Sequence, residues 1–232
     1  MQVSFSLYSK YNAPNIIPFK QSLLEDYKKQ TPKQDPLEGD KLVISTPKEG
    51  LVKQNSFLHP NLKLKYKSNG ERGVFATGEV KKGEIVCIFV GDIFTADELK
   101  KLPEDLQRKT LQLAPDIYQL ASKNPNDTKA FDAAEYFNHS CEPNLFLTGN
   151  NILIAGRDIK PSEELTFDYG TSDTLGNPDI GWKCDCGATN CRGENTPDAY
   201  RGIIAKLSEK YGQERALDLV ANYIKQMYLD EQ

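Results

Sequence analysis

Asn138-His139-Ser140-Cys141-Glu142-Pro143-Asn144 and, downstream, Glu163-Glu164-Leu165-Thr166-Phe167-Asp168-Tyr169-Gly170 decide how this chain is read. A third piece, Cys184-x-Cys186-x-x-x-x-Cys191, follows them. The chain has five cysteines, and three of them fall within these eight residues. An odd count crowded in this way is a poor disulfide framework, because a Cys-x-Cys bridge is strained. Clustered thiolates read better as metal ligands. Tetrahedral zinc needs four ligands, so a fourth must come from elsewhere. The candidates are Cys141, Cys87, His139 and His59.

The rest of the composition narrows the classes. At 232 residues the chain can hold one large domain with appendages. Its formal charge of −4 argues against broad binding of nucleic-acid phosphates and suits a basic, Lys-rich partner. No apolar run of about 18 residues is present, so no membrane span is expected. No secretory leader is visible at the start, and the compartment is not readable: nuclear, cytoplasmic and exported-effector locations are all compatible. Asn126 and Asn138 head glycosylation sequons that are therefore read as chance.

Hydrophobic patterning outside these motifs points to many short strands with irregular connectors, a mainly β domain with α additions. A helix over 19–30 is broken by Pro32 and Pro36. Strands are expected over 41–45, 51–52, 58–66, 72–77, 84–90, 116–121, 145–148, 152–155 and 165–167. Residues 95–113 read as one or two helices. Thr95 caps the first, Glu98 completes a capping box, and Pro103 marks a boundary. The tail reads as a helical hairpin docked on the domain. Thr196 caps its first helix and Gly212 stops it. Tyr200, Ile203, Ile204 and Leu207 form one apolar face; Leu217, Val220, Ala221 and Ile224 form the next.

Other catalytic schemes fit poorly. Only His59 and His139 are available as bases, and Ser140 beside His139 cannot face it as a nucleophile. Glu163 and Glu164 are adjacent and read as a solvated turn. No Gly-x-Gly-x-x-Gly follows a strand, so a Rossmann site is not expected.

The three motifs in this order resemble the SET-domain protein-lysine methyltransferases that carry a zinc-binding post-SET segment. The resemblance covers the chain from about Gly70 to Gly193. It implies a SET fold of the β-clip type, with knot-like threading between the segments around Asn138 and Leu165. It divides the chain into an extension (1–40), the SET domain (41–180), the post-SET zinc loop (181–195) and C-terminal helices (196–232). In the family the Cys of Asn-His-Ser-Cys completes the zinc site, which implies Cys141, Cys184, Cys186 and Cys191 as ligands. Arg72-Gly73-Val74-Phe75 resembles the segment that presents backbone groups to S-adenosyl-L-methionine, and Gly lets the backbone approach it. Asn138 and His139 match the residues that hold the cofactor's amino-acid end and adenine. Trp182, just before the zinc loop, is placed either to cover it or to pack the loop.

Tyr169 matches the catalytic tyrosine. Phe167 stands where the family tunes the number of methyl groups added, and Phe89 where it usually has Tyr. A tyrosine at 167 can hold a water that fills the space of a further methyl; phenylalanine cannot, so di- or trimethylation is expected. Glu71, Glu135 and Ser162 depart from the family, which has Gly, a basic residue and Gly there. The implied function is S-adenosylmethionine-dependent methylation of a lysine in a protein or peptide, histone or non-histone, with no direct contact to nucleic acid or membrane. The alternative is a non-catalytic SET-fold module that binds a Lys-rich segment. Substrate identity and oligomeric state are not readable.

Overall fold

Leu145 to Ala155 shows how apolar patterning becomes a sheet. Leu145 and Leu147 are buried while Phe146 and Thr148 are partly exposed, so β9 (Leu145–Thr148) has one core face. β10 (Ile152–Ala155) is buried on both faces and pairs antiparallel with β9 and with β4 (Ile85–Ile88). β1 (Phe57–Leu58) closes the other edge, giving the order β1-β4-β10-β9. A hairpin of β2 (Leu62–Tyr66) and β3 (Arg72–Ala76) forms a second sheet. A third has the order β5-β7-β6, from β5 (Asp92–Thr95), β6 (Leu111–Ala114) and β7 (Ile117–Leu120).

The computed structural model describes residues 56–121, 132–174 and 180–232. All belong to one unit, Lys53–Gln232. The helix expected over 19–30, the strands over 41–45 and 51–52, and the sequon at Asn126 lie outside the described residues.

Between β5 and β6 the helical expectation holds only in part. Helix α1 (Ala96–Leu99) starts at Thr95 with the expected capping box: Glu98 N–H donates to Thr95 Oγ1 and Thr95 N–H to Glu98 Oε2. Pro103 precedes helix α2 (Glu104–Gln107), which ends there rather than running on to 113. Leu111 and Leu113 belong instead to β6, paired with β7. The local leucine spacing suits either state, and the neighbouring strand decides it. The strand expected over 58–66 is also divided, into β1 and β2 with a turn between them.

The tail forms three helices: α3 (Ala199–Tyr211), α4 (Gln213–Leu217) and α5 (Asn222–Asp230). The first begins two residues later than Thr196 would set it, with Asp198 at the cap position. Thr196 bonds the Asp198 carboxylate through its hydroxyl and accepts Ala199 N–H on its carbonyl. Gly212 ends α3 at φ 81°, a conformation that favours glycine. The second apolar face breaks at 218–221, where Val220 and Ala221 are nevertheless buried. Tyr200, Ile204, Leu217 and Ile224 join the core that contains Val74, Leu145, Leu153 and Leu165, so the helices dock on the sheets. Cys87 is fully buried in that core, a small apolar residue.

Candidate active site and thiol cluster

The two deciding motifs meet in a parallel strand pair. β8 (Asn138–His139) lies beside β11 (Thr166–Phe167), with Asn138 opposite Thr166 and His139 opposite Phe167. Parallel strands so short need outside support. Asn144 supplies it: its Nδ2 donates to Glu164 O (2.8 Å) and its Oδ1 accepts Thr166 N–H (2.9 Å), copying a peptide group. Beyond β11, Asp168 accepts Gly170 N–H and opens a short 3-10 turn, Tyr169–Thr171. This threading carries Tyr169 back across the start of β8.

There Tyr169 Oη donates to Phe137 O at 2.7 Å. The phenol hydrogen is thus committed to a carbonyl. Its ring packs on Phe167 (4.9 Å between centroids) and on His139 (5.3 Å). Phe89 packs on Phe137 (6.2 Å) and Phe167 (6.4 Å). Phe89, Phe137, Phe167 and Tyr169 line one pocket with Gln119, Arg108 and Lys109 among the residues at its wall and rim. Gln119 is 2% exposed on β7, and neither amide atom of its side chain has a hydrogen-bond partner among the described residues.

Behind this pocket lies the thiol cluster. His139, Cys141, Cys184 and Cys186 present ligand atoms within 4.8 Å of one another. The Cys141 and Cys184 sulfurs are 3.9 Å apart, close to the separation of about 3.8 Å set by a tetrahedral ion with metal–sulfur bonds of about 2.3 Å. Cys191 adjoins the group: its thiol reaches Cys184 O at 3.6 Å and interacts with the Cys184 and Cys186 thiols. Burial raises the Cys141 and Cys184 thiols above their ordinary range. Burial also acts to raise Cys186, but N–H donation from Cys141 and Ala188 brings it down to about 7. Cys87 and His59 stand elsewhere; His59 faces Glu84 at 3.6 Å.

Five donors thus lie together, and a hydrogen bond sets one of them apart. Tyr169 N–H donates to His139 Nδ1 at 3.1 Å, so this nitrogen carries the lone pair. Burial lowers the imidazole pKa, with Asp168 opposing and Arg192 reinforcing that shift. The neutral ring therefore carries its proton on Nε2, which faces Cys141 Sγ at 3.2 Å. A protonated nitrogen donates to a thiolate and cannot bind a metal.

The loop is also held by charge. Arg192 bonds both Asp168 oxygens, at 2.6 and 2.7 Å, a bidentate pair with Asp168 only 4% exposed. Trp182 stacks edge-on against His139 (5.3 Å) and lies 6.3 Å from Tyr169.

On the far side of β8, Asn138 Nδ2 donates to Arg72 O (2.9 Å) and to Glu164 Oε1 (2.6 Å). Gly73 is buried beside them; a Cβ there would meet Glu164 Oε1 at 2.5 Å and Asn138 Nδ2 at 3.1 Å. A glycine is thus required there by protein atoms. The Arg72 side chain points away, bonding Tyr136 Oη. Val74 is a core residue whose carbonyl is taken by Leu165 N–H, and Phe75 lies under Lys65.

The family profile of the SET domain matches residues 71–170. This stretch is a SET domain. The chain is 33% identical over 150 residues to the histone-lysine N-methyltransferase Su(var)3-9 of Drosophila melanogaster, covering 52% of this chain and 22% of that protein. It is 30% identical over 139 residues to the histone-lysine N-methyltransferase mes-4 of Caenorhabditis elegans, covering 52% and 15%. Among solved structures, KRYPTONITE in complex with mCHG DNA and SAH matches at 27% identity and a TM-score of 0.44, covering 59% of this chain and 29% of that one. The chain thus spans well under half the length of these relatives.

Within the SET domain the structure brings Asn138, His139, Phe167, Tyr169 and Phe89 to one region, with Trp182 and the four named cysteines beside it. Reading Glu163 and Glu164 together as a solvated turn is corrected by Glu164, whose carboxylate holds Asn138. Asn144, Arg192, Gln119 and Glu164 were not singled out as site residues. Their sequence signals, a lone amide or charge, are common on any surface.

Proposed function

We propose that this chain is an S-adenosylmethionine-dependent protein-lysine N-methyltransferase with one structural zinc ion. Zinc would be held by Cys141, Cys184, Cys186 and Cys191, with His139 Nε2–H steadying Cys141 from outside the coordination sphere. The observation that carries the reading is the Tyr169 phenol, fixed on Phe137 O at the floor of an aromatic pocket. The residues around Asn138 fit the cofactor: the side-chain oxygen of Asn138 is left over once both amide hydrogens are bound.

Bound S-adenosylmethionine supplies a methyl group already activated on a sulfonium sulfur. The target amine must arrive neutral, although its reference pKa is about 10.4. A pocket walled by Phe89, Phe137 and Phe167 disfavours the ammonium, so the proton leaves to water as the side chain enters. Tyr169 Oη then accepts an N–H and turns the nitrogen lone pair along the transfer axis. Alignment of this kind lowers barriers by about 7–11 kcal/mol. No stronger base is required.

Phe167 and Phe89 bring no hydroxyl that could pin a water or the amine. A methylated amine therefore has room to rotate and react again, giving di- or trimethyl-lysine. The similarity to histone-lysine methyltransferases makes histones the first substrates to test, with other Lys-rich proteins next. Zinc-loaded full chain, labelled cofactor, core histones and a protein array form the experiment. Transfer to lysine is expected, mostly lost in Tyr169→Phe, with mass spectrometry showing more than one methyl and Phe167→Tyr shifting the product toward one. Absence of both methyl transfer and binding of S-adenosylhomocysteine would overturn the assignment.

A further inference from the structure

Asn138 has two N–H donors and one acceptor on its side chain, and the structure spends both donors on protein. Arg72 O takes one at 2.9 Å and Glu164 Oε1 the other at 2.6 Å. Both partners are acceptors only, so the amide cannot be turned over without opposing oxygen to oxygen. Oδ1 is what remains for a ligand. Glu164 is itself fixed: Lys67 Nζ lies 3.0 Å from Oε1, and the missing Cβ of Gly73 lets that oxygen lie against β3. Its carboxylate is about one-quarter exposed.

We infer that Glu164, held by Lys67, is a positioning residue that orients Asn138 so that its oxygen receives the α-ammonium of the cofactor's amino-acid end. The inference rests on the methyltransferase reading above and adds to it which atom of Asn138 meets which charge. Without Glu164 one of the two acceptors that hold the amide is gone, and only Arg72 O still opposes its turning over. Turned over, the amide would offer N–H to a cationic group, and the preference for that group would be lost. Glu164 does not touch the cofactor; it acts through Asn138 alone. The Gly73 contact gives a second handle, because any side chain there must displace the Glu164 oxygen.

The test is calorimetric titration of zinc-loaded full chain with S-adenosylhomocysteine and with the same molecule lacking its α-amino group. Wild type should bind the desamino compound roughly 10–100-fold more weakly, the range expected for a lost charged hydrogen bond. In Glu164→Ala that ratio should fall by about threefold or more, a change that a merely structural role would not produce. Glu164→Gln, which keeps a carbonyl acceptor, should restore most of it. In an Asn138→Ala background the ratio should already be low, and adding Glu164→Ala should change nothing further. Lys67→Ala also removes an ion pair with Glu71 in the β2–β3 turn, and it should lower the ratio even if Glu164→Ala folds poorly. A wild-type ratio in both Glu164→Ala and Lys67→Ala overturns the inference, as does a Glu164 effect that persists without Asn138. Equal binding of both compounds by wild type sinks the inference alone, whereas no binding of either sinks the methyltransferase reading with it.

Discussion

The thiol loop and the C-terminal helices leave the same stretch of chain, on either side of Thr196, yet they are held by different physics. No residue from 181 to 194 is fully buried. That loop is ordered by converging sulfurs, by the Arg192–Asp168 pair and by Trp182 against His139. The helices instead send Tyr200, Ile204, Val220 and Ile224 into the main core, each at 2% exposure or less. A segment with no apolar core of its own needs a different source of order. The loop should therefore depend on metal, and the helices on packing.

Metal removal should separate the two most sharply. Structural zinc sites have apparent binding free energies of about 10–16 kcal/mol, far more than any other contact the loop makes. Chelation should expose the amides of 181–195 to rapid hydrogen exchange, leaving 199–230 protected. Cys141→Ser should do the same. Equal loss of protection in loop and helices would mean that they form one cooperative unit.

Ile224→Ala breaks the comparison from the other side. Truncating a fully buried isoleucine costs about 2–5 kcal/mol, through lost burial and the cavity left behind. Denaturant titration should show that loss while the folded variant still binds one zinc. Arg192→Ala should come next, at about 1.5–3 kcal/mol for the hydrogen bonds to a nearly buried carboxylate. Arg192→Lys should not rescue it, because an ammonium cannot span both Asp168 oxygens. Weakened zinc retention with unchanged helix protection is the expected pattern.

The same contrast explains what could be read from the chain alone. Strands β3, β4, β9 and β10 were legible, because alternating or continuous apolar residues report burial directly. The short connection before β6 was not: Leu111 and Leu113 suit a helix until β7 lies beside them. The convergence of Asn138, His139 and Tyr169 was accessible through the family motifs, not through spacing, since 30 residues separate His139 from Tyr169. Glu164 and Asn144 stayed hidden because their meaning lies in which backbone they face. Arg192 looked like one more surface charge until the thiol loop folded it onto Asp168. Polar residues that act through a single partner leave no periodic trace.

The smallest effect expected lies where the last helix closes on the first. Glu231 accepts from Arg201 Nε (2.9 Å) and Nη2 (2.8 Å) and from Tyr200 Oη (2.8 Å). The Arg201 bond, followed by that from Tyr200, holds the Glu231 carboxyl below its usual range. Its folded-state pKa is therefore lower than its unfolded one. The stabilisation is complete above the unfolded value and is lost as pH falls through the folded value. Both charged side chains are largely in water, so screening keeps the contribution small. Glu231→Gln should lower Tm by roughly 1–2 °C at neutral pH. The gap between variant and wild type should close once the pH drops below the carboxylate range. Salt should narrow it too, as it would not for Ile224→Ala. A gap that stays constant from neutral to acid pH would show that Glu231 acts by packing, and would bring this last contact over to the apolar side of the comparison.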